Sequence, residues 1–428
     1  LGSKRSYDPI GDLVFVRSQG EKVWDQQGNE YLDMICGYSA CNLGHAHPRI
    51  TAAACDQLAK LTWAHGGASL ERKRLEVTLA ELWDSNRISS PSSPRHTKVW
   101  LTVSGARAIE IAWKIAHAKN PGVAVRFDIA YHGRSLATAL LSDTQRSKVL
   151  SEDVSCTRVR TIRFPKHIRG VCGPIYATSS PSSLCPECLE CLDQAEEVFE
   201  QMPSGSSILF VEPAIGARGY YFAPAAFLQR LVASARQRGL TVICDEIQMG
   251  LRRTGAMFMC RAQGWEPDLL VLGKSLGGGI VPIAAVLGDA NLVDAVPAGI
   301  ESETFAAYPL ACRIAQESLG ILSEPKLGED VERKGELFRT LMRDELPGNL
   351  VVDGAGLASC VSLENLPGAG VAQATEVVGW LSKHGILVHL TGPRRNRLAM
   401  IPSLLIPDEA LELAARKIIQ ALSAIDLA

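Results

Sequence analysis

The chain has 428 residues, more than one ordinary core fills, so one large and one smaller unit are expected. With 46% hydrophobic and 21% charged residues it can bury a globular core, and a formal net charge of −2 implies no basic face, which argues against nucleic acid as a partner. Apolar runs are strand-length and far short of a membrane span, no signal peptide is expected, and the 12 scattered cysteines suit free thiols in a reducing, cytoplasmic compartment better than a disulfide framework.

In chain order, strand-like segments fall at 13–16, 22–24 and 30–34, with Gly28-Asn29 as the turn before the third. Gly44-His45-Ala46-His47-Pro48 breaks the chain ahead of an alanine-rich helix at 49–60, and a second helix is expected at 69–84. The Ser/Pro-rich stretch 87–96 reads as an exposed loop. From Lys98 a βαβ pattern sets in: strand 99–103, helix 106–119 with Ile109, Ala112, Trp113 and Ala116 on one face, then strand 123–127. Residues 160–186, rich in Ser, Pro and Gly, are expected to form a long surface loop. Helix 188–201, strand 207–211, helix 224–238 and strands 241–245 and 269–272 follow. Strands alternating with helices predict an α/β fold with a mostly parallel, doubly wound sheet, whose ligands sit beyond the carboxyl ends of the strands. After about residue 300 the texture becomes α+β: helices at 310–322 and 328–345, strands at 349–353 and 358–363, helix 371–384, strand 386–390 and helix 408–423.

Two of the buried strands each deliver one chemical group at the carboxyl end. The first ends in Asp245, followed by Glu246, Ile247 and Gln248. The second is followed by Lys274, Ser275 and the run Gly277-Gly278-Gly279. Either group alone is more often a solvated strand end or a helix cap. Together they are what pyridoxal 5′-phosphate requires: a lysine to form a Schiff base with its aldehyde, and an acid to keep the pyridine nitrogen protonated so that the ring acts as an electron sink. Three further motifs lie at the ends of other strands: Ser104-Gly105-Ala106, Tyr131-His132-Gly133-Arg134 and Val211-Glu212-Pro213.

With these motifs in register, the chain resembles the class III (ω-) aminotransferases of pyridoxal-phosphate fold type I, and is similar also to dialkylglycine decarboxylases and class III amino-acid racemases. The resemblance implies a large cofactor-binding domain at 61–300, and a smaller domain built from the N-terminal segment 1–60 and the C-terminal part 301–428. It implies that Ser104, Gly105 and Ala106 cradle the phosphate at a helix N-terminus, that Tyr131 stacks on the ring opposite Ile247, and that Gln248 donates to the phenolic oxygen. Glu212 and His132 belong to the surrounding hydrogen-bond network. Lys274 and Asp245 are the implied catalytic pair, and burial is expected to lower Lys274 from its ordinary ~10.4 so that its free amine can move the substrate's α-proton. Thr304 is implied to reach the phosphate of the neighbouring subunit, which makes a homodimer with shared active sites the expected assembly.

Several positions depart from the family pattern. Arg107 replaces an acidic residue, and Ala306, Ala307 and Tyr308 stand where two glycines and an asparagine are usual. Ala217 and Ala399 occupy the places of a glutamate and of the arginine that clamps a substrate carboxylate, with Arg397 and Arg218 as potential substitutes. The expected activity is therefore amino transfer between an amine or amino acid donor and a keto or aldehyde acceptor, in specialised metabolism. Decarboxylation or racemisation are the alternatives within the family, and a non-catalytic partner role the alternative outside it. Cys185, Cys188 and Cys191, with Cys172 upstream, are expected to be free thiols rather than zinc ligands.

Overall fold

The computed structural model of the chain describes residues 13–65, 68–85, 87–88, 96–143, 159–166, 173–177, 184–203, 205, 207–297 and 302–424. A seven-stranded sheet lies at its centre, in the order Thr97–Thr102, Ala284–Asp289, Leu269–Leu272, Thr241–Asp245, Ser207–Val211, Val123–Phe127, Val159–Ile162. From Leu269–Leu272 to Val159–Ile162 every neighbouring pair is parallel, whereas Ala284–Asp289 runs antiparallel to the strands on both its sides. Three central strands are buried along their whole length, as a sheet covered on both faces requires. Because successive side chains point to opposite faces, Ile208 and Phe210 share an apolar cluster with Ala108, Ile109, Ala112 and Ile115 of helix Gly105–Lys119. Leu209 and Val211 join Cys188, Phe199, Phe227 and Leu231 of helices Pro186–Glu200 and Ala225–Gln237.

Two smaller sheets flank this core. One pairs Phe15–Gln19, Lys22–Asp25 and Glu30–Asp33 antiparallel and adds Ile386–Leu387 in parallel to Glu30–Asp33. The other joins Val351–Ala355, Ala358–Ser362, Arg397–Met400 and His389–Thr391 in antiparallel order. The N-terminal segment is thus joined to the C-terminal part by the parallel pairing of Glu30–Asp33 with Ile386–Leu387 and by the amides of Ile401 and Leu404, which donate to the carbonyls of Met34 and Asn42 at 2.8 Å each.

Three local expectations are corrected. The segment 160–186 is not all loop: Val159–Ile162 is an edge strand of the large sheet, its Ser/Pro/Gly-rich sequel having masked a four-residue element with two exposed side chains. Strand Ala284–Asp289 was not anticipated, since its alanines and glycine carry little β propensity. The strand expected at 386–390 is two strands that part at Val388 and enter different sheets.

Candidate active site

Asp245 and Lys274 stand at the carboxyl ends of adjacent parallel strands, Asp245 in register with Val271. Lys274 opens a short 3-10 turn, Lys274–Gly277, and its backbone is left-handed, with φ 41°. A residue carrying a β-carbon holds such a conformation only when its surroundings impose it, at a cost of about 1–3 kcal/mol. Burial lowers the Lys274 amine to about 8; Asp245 and Glu212 oppose the shift, and the positive charge of Arg253 adds to it.

The Asp245 carboxylate is buried, and each of its oxygens accepts one hydrogen bond, which leaves acceptor capacity for a further donor. Its Oδ2 accepts from His132 Nδ1 at 2.8 Å and its Oδ1 from the Ile247 amide at 3.0 Å. His132 is itself fixed: its amide donates to Ser142 Oγ at 2.9 Å and its ring lies tilted against Phe210, centroids 5.6 Å apart. Glu212, one residue past strand Ser207–Val211, accepts from the Tyr131 amide at 2.8 Å. Burial raises Glu212, and the nearby Asp245 charge adds to this while His132 and two backbone amides oppose it. Tyr131 is half-buried, with the Arg134 guanidinium 5.6 Å over its ring.

Ile247 joins this group to the turn at Ser104. A β-carbon placed on Gly105 would lie 2.8 Å from Ile247 Cδ1, and one on Gly273 would lie 3.3 Å from its Cγ2, so Ile247 sits between the glycine of the turn and the residue before Lys274. Ser104 caps the 15-residue helix Gly105–Lys119, its Oγ accepting from the Arg107 amide at 3.2 Å. The first-turn amides of Gly105 and Ala106 have no acceptor within the helix, which is the arrangement that binds an anion. Ala106 packs under Gly133, where a β-carbon would approach its Cβ to 2.7 Å. Gln248 donates from Nε2 to Tyr220 Oη at 2.8 Å and, more weakly, to the Tyr38 carbonyl at 3.4 Å.

Lys274, Asp245, His132, Glu212, Tyr131, Ile247, Gln248 and the Ser104–Ala106 turn therefore form one connected group. Thr304 stands apart from it. It is exposed and, among the described residues, is tied to the turn through its neighbour: Glu303 accepts from Arg107 Nε at 2.6 Å and from Thr102 Oγ1 at 2.5 Å. That pair gives the unexpected Arg107 an occupation, since it fastens the segment before Thr304 to the helix N-terminus.

Sequence reasoning missed three contributors and gave a fourth, Arg253, no role. Tyr38 and Tyr220 engage Gln248, and Phe210 backs His132. Arg253, fully buried, donates to the carbonyls of Leu357 at 3.0 Å and Pro402 at 2.7 Å and to Asn42 Oδ1. The Arg-Thr-Gly that carries Arg253 is visible in the sequence, but its carbonyl partners lie 104 and 149 residues away.

The places of the carboxylate clamp are equally concrete. Ala399 is fully buried in an apolar cluster with Ala214, Tyr220, Phe222, Met249, Cys360 and Ile401. Arg397 is already paired: Nε donates to the Gly219 carbonyl at 2.6 Å, Nη1 to Glu364 Oε2 at 2.7 Å, and the guanidinium lies 4.1 Å over the Tyr221 ring. Arg218 donates to Asp143 at 2.6 Å. Among the cysteines, Cys188 and Cys191 are buried on one face of helix Pro186–Glu200 and Cys185 precedes it, while Cys172 lies outside the described residues. The described group with metal-ligand spacing is Cys244, Glu246 and Cys260. The Glu246 oxygens there already accept from the Met259 and Cys260 amides at 2.9 and 2.7 Å.

These residues fit pyridoxal 5′-phosphate. An amine lowered by burial to about 8 and a buried carboxylate stand at the ends of adjacent strands, a helix N-terminus with free amides lies across Ile247 from them, and Ser275 Oγ, beside Lys274, is buried with no partner among the described residues.

The aminotransferase class-III family model matches residues 3–422. The 5-aminovalerate aminotransferase of Pseudomonas aeruginosa is 30% identical over 418 residues, covering 95% of this chain and 93% of its own length. The 4-aminobutyrate aminotransferase of Escherichia coli is 29% identical over 416 residues, 94% of this chain and 92% of its own. Among solved structures, the ornithine aminotransferase of Toxoplasma gondii ME49 is 28% identical with a TM-score of 0.82, covering 98% of this chain and 92% of its own. A structure of the Toxoplasma gondii ornithine aminotransferase crystallized in the presence of oxidized glutathione, 28% identical with a TM-score of 0.81 over 99% of this chain and 92% of its own, has partial occupancy of PLP at its active site.

Proposed function

The chain belongs to the class III aminotransferases, which use pyridoxal 5′-phosphate, and on that premise we propose that it transfers an amino group from a donor bearing a terminal amine to a keto or aldehyde acceptor. The observation that carries this reading is the pairing of Lys274, its backbone left-handed and its amine lowered to about 8, with Asp245, whose carboxylate is held by His132 and the Ile247 amide.

When bound, the cofactor supplies an electron-withdrawing ring that stabilises negative charge at the substrate carbon. Lys274 would hold its aldehyde, Asp245 its ring nitrogen, and the Ser104–Ala106 turn its phosphate. Tyr131 and Ile247 would flank the ring, and Gln248 would donate to the phenolic oxygen. Glu212 and His132 fix the positions of Tyr131 and Asp245. The Lys274 amine, lowered by burial to about 8, would be the group that takes a proton from the adjacent substrate carbon and returns it.

The donor class is supported by the apolar surroundings of Ala399 and by the pairing of Arg397 with Glu364 and of Arg218 with Asp143, which engages both candidate guanidiniums with carboxylates of the chain itself. The names of the relatives agree with it, since 5-aminovalerate and 4-aminobutyrate both carry terminal amines. They do not by themselves support specialised metabolism, for which the two alanines are the sole argument. The same reading makes the protein a cytoplasmic homodimer. Among the described residues no helix is long and apolar enough to cross a membrane.

Borohydride reduction of the cofactor-loaded protein followed by peptide mapping should place the cofactor on Lys274. Cofactor trapped on another lysine, or on none, overturns the assignment. A donor panel of ω-amines against glutamate, read for keto product, released carbon dioxide and racemisation, then separates transamination from decarboxylation and racemisation.

A further inference from the structure

We propose that Tyr220 is a positioning residue for the reaction: its buried hydroxyl holds the Gln248 amide in the orientation from which Gln248 reaches the cofactor's phenolic oxygen. This rests on the function proposed above and adds to it a residue that the chain's motifs do not contain.

Gln248 follows strand Thr241–Asp245 on a side chain with three rotatable bonds, so something must choose its amide's direction. Its nitrogen carries two protons. One is given to Tyr220 Oη at 2.8 Å, an ordinary hydrogen bond, and the other to the Tyr38 carbonyl at 3.4 Å, a long one. The long bond is the one that a stronger acceptor would displace, leaving the Tyr220 bond to fix the amide plane.

The segment that carries Tyr220 is shaped for this contact. Ile215 and Tyr221 exchange both backbone hydrogen bonds, at 2.9 and 3.0 Å, closing a tight turn between them. Inside it Tyr220 takes a left-handed backbone, φ 56°, which is an outlier for so bulky a residue. Two glycines permit it: a β-carbon on Gly216 would overlap Gln248 Oε1, and one on Gly219, φ 139°, would overlap the Tyr221 ring. Tyr220 is then completely buried among Ala214, Phe222, Met249 and Ala399, so its ring cannot drift and its hydroxyl points to a constant place. Burial also raises its phenol, which keeps it a neutral hydroxyl able to accept from Gln248. A phenylalanine would fill the same apolar cluster equally well, so packing alone does not account for the oxygen.

Tyr220→Phe removes that oxygen and keeps the ring. Loaded with pyridoxal 5′-phosphate alone, the variant should keep its fold and its cofactor. The pH midpoint of its visible absorption band should be displaced in the same direction as in Gln248→Ala. With the terminal-amine donor that the wild type turns over fastest, kcat should fall about tenfold, the equivalent of one net hydrogen bond, while KM stays within a few-fold. Because Tyr220 acts through Gln248, Tyr220→Phe combined with Gln248→Ala should be no worse than Gln248→Ala alone. A Tyr220→Phe protein with an unmoved midpoint and unchanged kcat, or fully additive losses in the double variant, overturns the proposal. If Tyr220→Phe does not fold, 4-fluorophenylalanine at position 220, which keeps the ring and nearly the length of tyrosine but replaces the hydroxyl by a poor acceptor, provides the same readout, and an unmoved midpoint again overturns it. A wild type that develops no visible band overturns the functional reading and this inference together, whereas a normal wild-type band unmoved in the variant overturns this inference alone.

Discussion

Lys274 and Asp245 are held by different means, and their expected responses to mutation differ accordingly. Lys274 is kept by its backbone, in the left-handed region at φ 41°, whereas Asp245 is kept by its side chain, through His132 and the Ile247 amide. An amide at position 245 can preserve one of those contacts but cannot hold a proton on a ring nitrogen. Asp245→Asn should therefore retain the cofactor, measured by equilibrium dialysis, while kcat drops roughly a hundredfold or more, the scale of a lost charge-assisted hydrogen bond at the reacting ring. A variant within a few-fold of wild type would show that Asp245 is not the ring's partner. Both residues were legible in the sequence because each stands at or just past the end of a short, continuously apolar run, and that position carries the signal. Tyr220 was not legible, since nothing in Gly-Tyr-Tyr-Phe announces a left-handed tyrosine. Arg397 was legible only as a cation two residues from the expected place; its engagement by Glu364, in the turn after strand Ala358–Ser362, is a tertiary fact.

At the scale of elements, the N-terminal sheet hangs on a few specific ties. Asp33 ends strand Glu30–Asp33 and accepts from His45 at 2.8 Å, and from the Ile35 and Cys36 amides at 2.8 and 3.0 Å. That carboxylate, then Cys41, raises His45 to about 10 against the opposing effect of burial. A histidine whose folded pKa is raised contributes stability that is fully present below its ordinary value near ~6.5 and is lost as pH climbs through about 10. His45→Asn should accordingly lower the urea midpoint at neutral pH and lower it much less above about pH 10, a comparison in which wild type and variant share every other titration. An equal loss at both values would show that His45 acts by shape and not by charge. The strands and helices of this region were visible in the sequence through alternation and the Gly44–Pro48 break. The pairing of Glu30–Asp33 with Ile386–Leu387, more than 350 residues on, was not, because a two-residue strand has no periodicity to detect. The same applies to Ala284–Asp289: its place between two strands of the large sheet is set by its neighbours' edges, not by its own weak propensity.

For the whole molecule, the question is whether one chain completes a site. Thr304 is exposed, and beside it lie Phe305 at 58% and Val77 at 54% exposure, with Trp63, Trp100 and Tyr308 lining an open cleft between helix Leu70–Ser85 and strand Thr97–Thr102. An exposed apolar surface of this kind is suited to an interaction face. The Arg107–Glu303 pair keeps the segment in a defined place against the helix that would carry the phosphate. If a twofold axis passes here, each Thr304 serves the neighbour's site, and the exchange repeats symmetrically. Two inactive variants then test it: Lys274→Ala, which cannot hold the cofactor, and Thr304→Glu, which sets a negative charge against the phosphate. Unfolded together and refolded as a mixture, they should recover about a quarter of the wild-type activity, because half the dimers are mixed and one of their two sites is intact. Each variant refolded alone should stay inactive. If Thr304 instead serves its own chain's site, a mixed dimer holds no intact site and the mixture stays as inactive as its parts.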